Sequence, residues 1–251
     1  MTDKINEYTL IINKFNTFYN SITDDFMSKL VYSINCFIDL LANNTILNND
    51  NIYLSFNGGK DCLAAYLILK YYYYCKEKNL DYTLKSSYNN FCKNQNEYKI
   101  DKKIVLVYFV NEKNFSEEEE YVINFTKVED VRIVYLVADY INGLAFLKRR
   151  YNLNLIIMGT RKDDIKYKIE NNDSLIFPST SPYPEFLRFY PVFNWTFEDI
   201  WRIILSSKIG YLGLYDRGYS SIGRKNNSKI NENLKFSDGL ILPAWCLEEY
   251  L

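Results

Sequence analysis

The chain has 251 residues, a formal net charge of −1 and no histidine. The balanced charge argues against a dedicated nucleic-acid binder, which needs a basic face. The lack of histidine excludes the commonest general base and the usual Ser-His and Cys-His nucleophile pairs. The five cysteines form no C-x-x-C pair, so structural zinc, iron–sulfur clusters and a disulfide framework are not expected.

The first fifty residues have the pattern of two helices, which we predict over 3–20 and 22–42. Apolar residues recur from Phe26 to Leu41 with a period close to 3.6. The first residues are polar, unlike a signal peptide, and no stretch has the length and apolarity of a membrane span. We therefore expect a cytoplasmic chain without a membrane partner and, as the simplest assembly, a monomer.

Beyond residue 50, apolar strand-like runs alternate with helical patterns. Strands are predicted at 52–56, 103–110, 131–137 and 155–158, and helices at 61–78, 116–128 and from an N-cap at Asp139 to 150. The acidic run 117–120 is expected to be the solvated start of a helix. The polar segment 79–101 shows no period and is predicted to be an exposed insertion.

This alternation predicts the α/β class, with a parallel twisted sheet and helices on both faces. A helical extension precedes the sheet, and an irregular region follows it. In that last region, prolines 178, 182 and 184 predict a rigid loop, and 195–205 predicts a helix with Thr196 as N-cap and Asp199 completing a capping box. Ligands of such sheets bind beyond the carboxyl ends of the strands, which here means the loops 55–61, 110–114 and 159–164.

The first of these loops reads S-F-N-G-G-K-D-C and lies between a strand and a helix. It is not a Walker A loop, because position 54 is Leu and position 61 is Asp. The pattern S-x-x-G-G-x-D is that of the PP-loop of ATP pyrophosphatases. Its glycines let backbone N–H groups converge on an anion, and the helix that follows adds its positive end. The alternative is an ordinary glycine turn.

Five segments in order resemble those of the eukaryotic FMN adenylyltransferases (FAD synthases), a PP-loop family related to phosphoadenylylsulfate reductase. They are S-F-N-G-G-K-D-C (55–62), F-V-N-E (109–112), M-G-T-R-K-D-D (158–164), P-E-F-L-R-F-Y-P-V-F-N-W (184–195) and G-L-Y-D-R-G-Y-S-S-I-G (213–223). The resemblance implies an adenine nucleotide alpha hydrolase-like fold in a single domain, 1–251. That domain would comprise a helical extension (1–50), an α/β core (51–170) and a flavin-side region (171–251).

The resemblance also implies a nucleotidyltransferase that moves AMP from ATP to FMN, giving FAD and pyrophosphate with Mg²⁺, and no nucleic-acid partner. Catalysis would involve Asn57, Asp61, Arg161 and Asp164. The metal would be held by Asp61 and Asp164. ATP would be contacted by Ser55, Phe56, Asn57, Gly58, Gly59, Asp61, Val110 and Gly159. The flavin would be bordered by Asp164, Ser179, Thr180, Ser181, Pro182 and Arg188.

The sequence departs from the family at two places. Thr180 stands where the family usually has an acidic residue, and the chain ends before a Glu-Arg-x-Gly-Arg element whose arginines hold phosphates in relatives. Arg217, Arg224 and Lys225 are the candidates to replace those arginines. Two other functions stay open: a reductase of the phosphoadenylylsulfate type that uses Cys246, and a catalytically weak relative that binds flavin or nucleotide.

Overall fold

The computed structural model describes residues 2–44, 47, 52–100, 104–164, 174–236 and 239–247. The strands are β1 (Ile52–Ser55), β2 (Val105–Phe109), β3 (Arg132–Leu136), β4 (Leu155–Ile157), β5 (Ile176–Pro178) and β6 (Leu187–Phe189). The helices are α1 (Thr2–Asn20), α2 (Asp24–Asn43), α3 (Lys60–Lys78), α4 (Lys85–Asn94), α5 (Ser116–Glu129), α6 (Tyr140–Tyr151) and α7 (Phe197–Ser207). The predicted boundaries at residues 50 and 170 lie outside the described residues.

The six strands form one sheet in the order β3-β2-β1-β4-β6-β5. Four of the five strand pairs are parallel, and β5 runs antiparallel to β6 at the edge. The α/β class is therefore confirmed, but the sheet is mixed rather than wholly parallel. The region predicted to be irregular contributes β5 and β6. Each has only three residues, which is too short for a sequence period to reveal a strand.

Helices cover both faces of the sheet, as predicted. Along β1, Leu54 points into a large apolar cluster on one face, and Tyr53 into a smaller cluster on the other. Helices α2, α3 and α7 contribute to the large cluster, while α6 packs Leu144 and Leu147 into the small one. Buried on both faces, the central strands need continuous apolar runs, which is why these runs could be recognised in the sequence.

The polar segment 79–101 is not an exposed insertion. It contains α4, whose Tyr88 and Phe91 are fully buried against the large cluster. The Tyr88 hydroxyl lies 2.8 Å from the Ser206 hydroxyl on α7. Gln95, just after α4, accepts a hydrogen bond from the buried Lys70 ammonium. The two aromatic residues of α4 are too few to produce a helical period in the sequence. The helix is therefore stabilised by packing against distant segments, which the local sequence does not reveal.

Both predicted helix caps are present. The Asp139 side chain accepts from the Asn142 N–H at the start of α6, and Thr196 and Asp199 form a reciprocal capping box at α7. None of the helices in the described ranges carries an apolar stretch long enough to cross a bilayer.

Candidate active site

A cavity of about 520 Å³ opens at the carboxyl ends of β1, β2, β3 and β4. Its walls are the loops that follow these strands, together with Tyr215 and the segment 221–224 from the C-terminal region. This is the edge of the sheet where α/β folds of this kind bind ligands. The loops predicted from sequence therefore meet around one space.

The structure divides the predicted site residues into two groups. Those that line the cavity are Ser55, Phe56, Asn57, Gly59, Asp61, Val110 and Gly159. Those that are not in its lining are Gly58, Arg161, Asp164, Ser179, Thr180, Ser181, Pro182 and Arg188. The second group includes all the residues predicted to border the flavin.

The loop 55–61, called the glycine loop below, is held in shape by Asn57. Its side-chain oxygen accepts from the Gly59 N–H at 3.1 Å and from the Cys62 thiol at 3.2 Å. Gly58 has a φ of +78°, and a Cβ there would lie 2.6 Å from the Tyr121 ring. Burial raises the pKa of Cys62 to about 12, so its sulfur stays a thiol and is not suited to nucleophilic attack.

Asp61 joins this loop to the segment after β4. One carboxylate oxygen lies 3.0 Å from Arg161 Nε, and the other lies 2.8 Å from Lys60 Nζ. Arg161 is largely buried, and its backbone N–H donates to Asp164 Oδ2 at 2.9 Å. Asn57, Asp61, Arg161 and Asp164, predicted as the catalytic set, thus come from two loops that are linked by charge.

Gly159 brings the same two loops into backbone contact. A Cβ at this position would lie 2.3 Å from the Cys62 nitrogen and 2.4 Å from the Asp61 carbonyl carbon. Real Cβ atoms do not approach other atoms so closely, and these neighbours are backbone atoms that cannot rotate away. Glycine is therefore required if β4 and the start of α3 are to keep this spacing.

Val110 is positioned at the cavity by pairing with β3. Its amide N–H donates to the Leu136 carbonyl at 2.9 Å. Only its carbonyl oxygen is then left for a backbone contact with a nucleobase. A backbone contact between Val110 and ATP is therefore limited to this one hydrogen-bond acceptor.

Sequence reasoning missed several polar residues of the cavity, above all Glu118 and Tyr215. Glu118 belongs to the run 117–120, which does begin a helix, but its side chain is only 2 % exposed. Burial raises its pKa to about 7, against the effect of a hydrogen bond with the Tyr108 hydroxyl. Spacing could have indicated Glu118, because it lies three residues before the partly buried Tyr121 and four before the buried Val122.

The three candidate cations of the C-terminal region have different surroundings. Arg224 lines the cavity. Arg217 lies 2.8 Å from the exposed Glu117 carboxylate, and the Lys225 N–H donates to the Lys113 carbonyl. Arg224 is therefore the one of the three that is placed to meet a ligand in the cavity.

The predicted flavin-binding turn connects β5 to β6. The Ser179 hydroxyl donates to the Pro184 carbonyl and accepts from the Phe186 N–H, which closes the turn. The Arg188 guanidinium lies 4.8 Å from the centre of the Tyr183 ring. That ring packs edge-to-face on Tyr140 at 6.1 Å, and Tyr140 lines the cavity. Tyr183 thus connects the turn to Tyr140 in the cavity wall.

Cys246 lies elsewhere. It is 2 % exposed in a short 3₁₀ turn, Ala244–Cys246, and lines a separate cavity with Ile11 and Leu234. A nucleophile is expected at the cavity where the substrate would bind, so this location speaks against a reductase that uses Cys246.

The sequence is similar to those of known proteins. The family profile of the phosphoadenosine phosphosulfate reductase domain matches residues 51–230. A probable FAD synthase of Schizosaccharomyces pombe is 29% identical over 202 residues, covering 80% of this chain and 69% of that protein. A probable FAD synthase of Caenorhabditis briggsae is also 29% identical, over 79% of this chain but 34% of that protein.

Among solved structures, yeast FAD synthetase in complex with FAD superposes with a TM-score of 0.67. The two chains are 19% identical, and the match covers 96% of this chain and 95% of the yeast one. At this identity the likeness establishes a shared fold. Because the family profile spans well over half of the sequence, the chain belongs to the phosphoadenosine phosphosulfate reductase domain family.

Proposed function

We propose that the chain is an FMN adenylyltransferase, which transfers AMP from ATP to the phosphate of FMN and releases pyrophosphate. The observation that carries this proposal is the contact between Asp61, which lines the cavity, and Arg161, which follows β4. Relatives that match most of this chain are named FAD synthases, which supports the same reaction.

The glycine loop is the proposed seat of the β- and γ-phosphates. It leads directly into α3, whose positive end attracts anions, and Gly59 and Lys60 line the cavity there. With the terminal phosphates in this seat, the α-phosphorus lies farther along the cavity, toward Gly159 and the ends of β2 and β4. The carbonyl oxygen of Val110 is then the proposed acceptor for the adenine amino group.

The proposed step needs no strong base. An oxygen of the FMN phosphate attacks the α-phosphorus of ATP, and a new P–O bond forms. The bond between the α-phosphorus and its bridging oxygen breaks, and pyrophosphate departs with that electron pair. Because the nucleophile is already an anion, no proton has to be removed, and catalysis rests on positioning and charge neutralisation. A chain without histidine can perform this chemistry.

We propose that Mg²⁺ binds together with ATP. It is typically held by one or two carboxylates together with water and substrate phosphates. Asp164 suits this role, because its side chain is 44% exposed. Within the described residues, its carboxylate contacts the backbone N–H and the guanidinium of Arg161. Both oxygens of Asp61 already contact cations, so a metal bound by Asp61 would be repelled by Lys60 and Arg161. When bound, the ion would neutralise phosphate charge.

The flavin is proposed to lie on the side of the cavity lined by Tyr140, with Tyr183 and the turn 179–182 behind that wall. Arg188 is the nearby cation, and it is held over the Tyr183 ring. Thr180, at an exposed position of the turn, provides a hydroxyl where relatives were expected to provide a carboxylate. We therefore expect weaker recognition of the flavin ring than in a chain with an acidic residue there.

Purified protein mixed with FMN, ATP and Mg²⁺ tests the function, with FAD and pyrophosphate measured by chromatography and a coupled assay. Formation of both products in equal amounts supports the adenylyltransferase. Binding of FMN and ATP without product would instead support the catalytically weak relative. Replacing Cys246 by Ser should leave FAD formation unchanged, and loss of activity would favour the reductase.

A further inference from the structure

The hydroxyl of Tyr215 lies at the start of α3, beside the glycine loop. Its side chain is 1 % exposed and lines the cavity. The backbone N–H of Lys60, the first residue of α3, donates to the Tyr215 oxygen at 2.8 Å. Tyr215 comes from a 3₁₀ turn, Tyr215–Arg217, more than 150 residues further along the chain.

This contact occupies a donor that would otherwise be free for an anion. The first N–H groups of a helix have no partner within the helix, and they commonly bind phosphate. A phenol that accepts one hydrogen bond still has its own proton to donate. Among the described residues no acceptor for the Tyr215 proton is found, and the hydroxyl belongs to a cavity-lining side chain. A ligand oxygen in the cavity can therefore accept it.

The ring is fixed in place before any ligand binds. It packs edge-to-face on the buried Trp201, with ring centres 5.2 Å apart. Its backbone N–H donates to the Leu212 carbonyl, and its carbonyl accepts from the Gly218 N–H. A donor that is already oriented loses little freedom on binding, which favours its use at a charged intermediate or leaving group.

The hydroxyl also stays protonated. Burial, with the negative charge of Asp61 as a further cause, raises the pKa of Tyr215 well above its ordinary value. A neutral phenol in this position donates a hydrogen bond and adds no negative charge near the phosphates. The nearby carboxylate thus favours the donor form of Tyr215.

We propose that Tyr215 donates a hydrogen bond to the terminal diphosphate of ATP and to the pyrophosphate that leaves. This inference rests on the proposed function and adds to it a binding residue from outside the glycine loop. The Lys60 N–H polarises the phenol, and the phenol in turn contacts the phosphate, so the two donors act in series. Since negative charge grows on the leaving pyrophosphate, this hydrogen bond should strengthen during the reaction.

The test is Tyr215→Phe, which keeps the ring and its contact with Trp201 and removes only the hydroxyl. Pyrophosphate binding is measured by calorimetry with Mg²⁺ present, and FMN binding by flavin fluorescence. We expect pyrophosphate to bind about 10- to 100-fold more weakly, the loss typical of one hydrogen bond to a charged group. FMN affinity should not change, and the rate of FAD formation should fall.

Tyr211→Phe is the matched control. The Tyr211 ring also packs edge-to-face on Trp201, at 5.4 Å, but its hydroxyl bonds Asp216 and Trp245 and is not in the cavity lining. This variant should lose thermal stability and keep its pyrophosphate affinity. A chain with 3-fluorotyrosine at position 215, whose hydroxyl is a stronger donor, should bind pyrophosphate more tightly than wild type.

Pyrophosphate affinity in Tyr215→Phe equal to that of wild type would overturn the inference. Wild-type protein that binds no pyrophosphate would overturn both this inference and the proposed phosphate seat. Wild-type protein that binds pyrophosphate but makes no FAD would overturn only the proposed function. In that case the comparison of Tyr215→Phe with Tyr211→Phe would still decide the role of Tyr215.

Discussion

The guanidinium of Arg161 lies 3.0 Å from the carboxylate of Asp61, so a residue after β4 fixes a charge at the start of α3. Arg161→Ala removes this link between the two loops. Because Lys60 is then the remaining partner of Asp61 among the described residues, Asp61 should lose its fixed position at the cavity wall. We expect FAD formation to fall about 100-fold, the size of effect seen when one positioned electrostatic group is lost.

Initial rates of FAD formation with excess ATP and FMN measure this effect. Lys162→Ala is the matched control, since Lys162 is the next residue along and is exposed. Rates for Arg161→Ala close to those for Lys162→Ala would show that the Asp61 contact has no role in the reaction.

Asp164 and Asp163 are neighbours with different surroundings, and they allow the proposed metal role to be tested. Asp164 accepts the Arg161 N–H, whereas Asp163 is 77% exposed and lies 3.6 Å from the Arg161 guanidinium. We expect Asp164→Ala to lower turnover by on the order of 100-fold or more, and Asp163→Ala to stay near wild type. Mg²⁺ titration of the residual activity should show a higher requirement in Asp164→Ala alone. Equal Mg²⁺ curves for the two variants would contradict the metal role.

The parts of this structure that could be predicted from sequence are those with strong local signals. Continuous apolar runs revealed the central strands, and the capping residues Asp139 and Thr196 located two helix starts. The glycine loop was recognisable because Ser55, Gly58, Gly59 and Asp61 have a fixed spacing that phosphate binding requires. For these elements, the local sequence and the tertiary structure agree.

The remaining features depend on contacts between distant segments. Helix α4 has too few apolar residues for a period, and it is stabilised by packing of Tyr88 and Phe91 into a core made by other helices. Tyr215 reaches the start of α3 only through tertiary structure, so its spacing in the sequence contains no signal. Glu118 was predicted with its neighbours to be a solvated acid, although its spacing from Tyr121 and Val122 was a local signal that it is buried.

Gly159 permits a backbone contact that no other residue should allow. In Gly159→Ala the new methyl group would overlap the backbone of Asp61 and Cys62, so β4 and α3 would have to separate. We expect a loss of unfolding free energy of about 1–3 kcal/mol, as in other overpacked positions, together with weaker ATP binding. Gly213→Ala is the control, because a Cβ there meets nothing within 4 Å. Urea unfolding and ATP titration of both variants check this, and equal stability would refute the contact.

Lys70 in α3 and Glu129 at the end of α5 form a buried ion pair. The Lys70 ammonium contacts the Glu129 carboxylate and Gln95, and Tyr66 donates to the same carboxylate. Lys70→Met should leave that carboxylate buried without its cation and reduce the unfolding free energy by about 3–5 kcal/mol. The exposed Lys78 provides the control Lys78→Met, which should change stability little. In urea unfolding, Lys70→Met with added Glu129→Gln should recover part of the loss.

Glu118 should make stability depend on pH. Its pKa is raised from 4.5 to about 7 by burial, so between these values the folded chain keeps a proton that the unfolded chain releases. The unfolding free energy should therefore fall as the pH rises through this range, and the whole penalty is present above about pH 7. Glu118→Gln removes this penalty. It should be more stable than wild type by about 3 kcal/mol near pH 8, and no more stable near pH 4.

The same titration should affect phosphate binding, because Glu118 lines the cavity and its charged form repels anions. We expect the pyrophosphate affinity of wild type to weaken as the pH rises from about 6 to about 8, and that of Glu118→Gln to change less. Glu119→Gln, at the exposed neighbouring position, should follow wild type in both experiments. Parallel pH profiles for Glu118→Gln and Glu119→Gln, in urea unfolding and in pyrophosphate titration, would show that the buried carboxyl group is not the source of either effect.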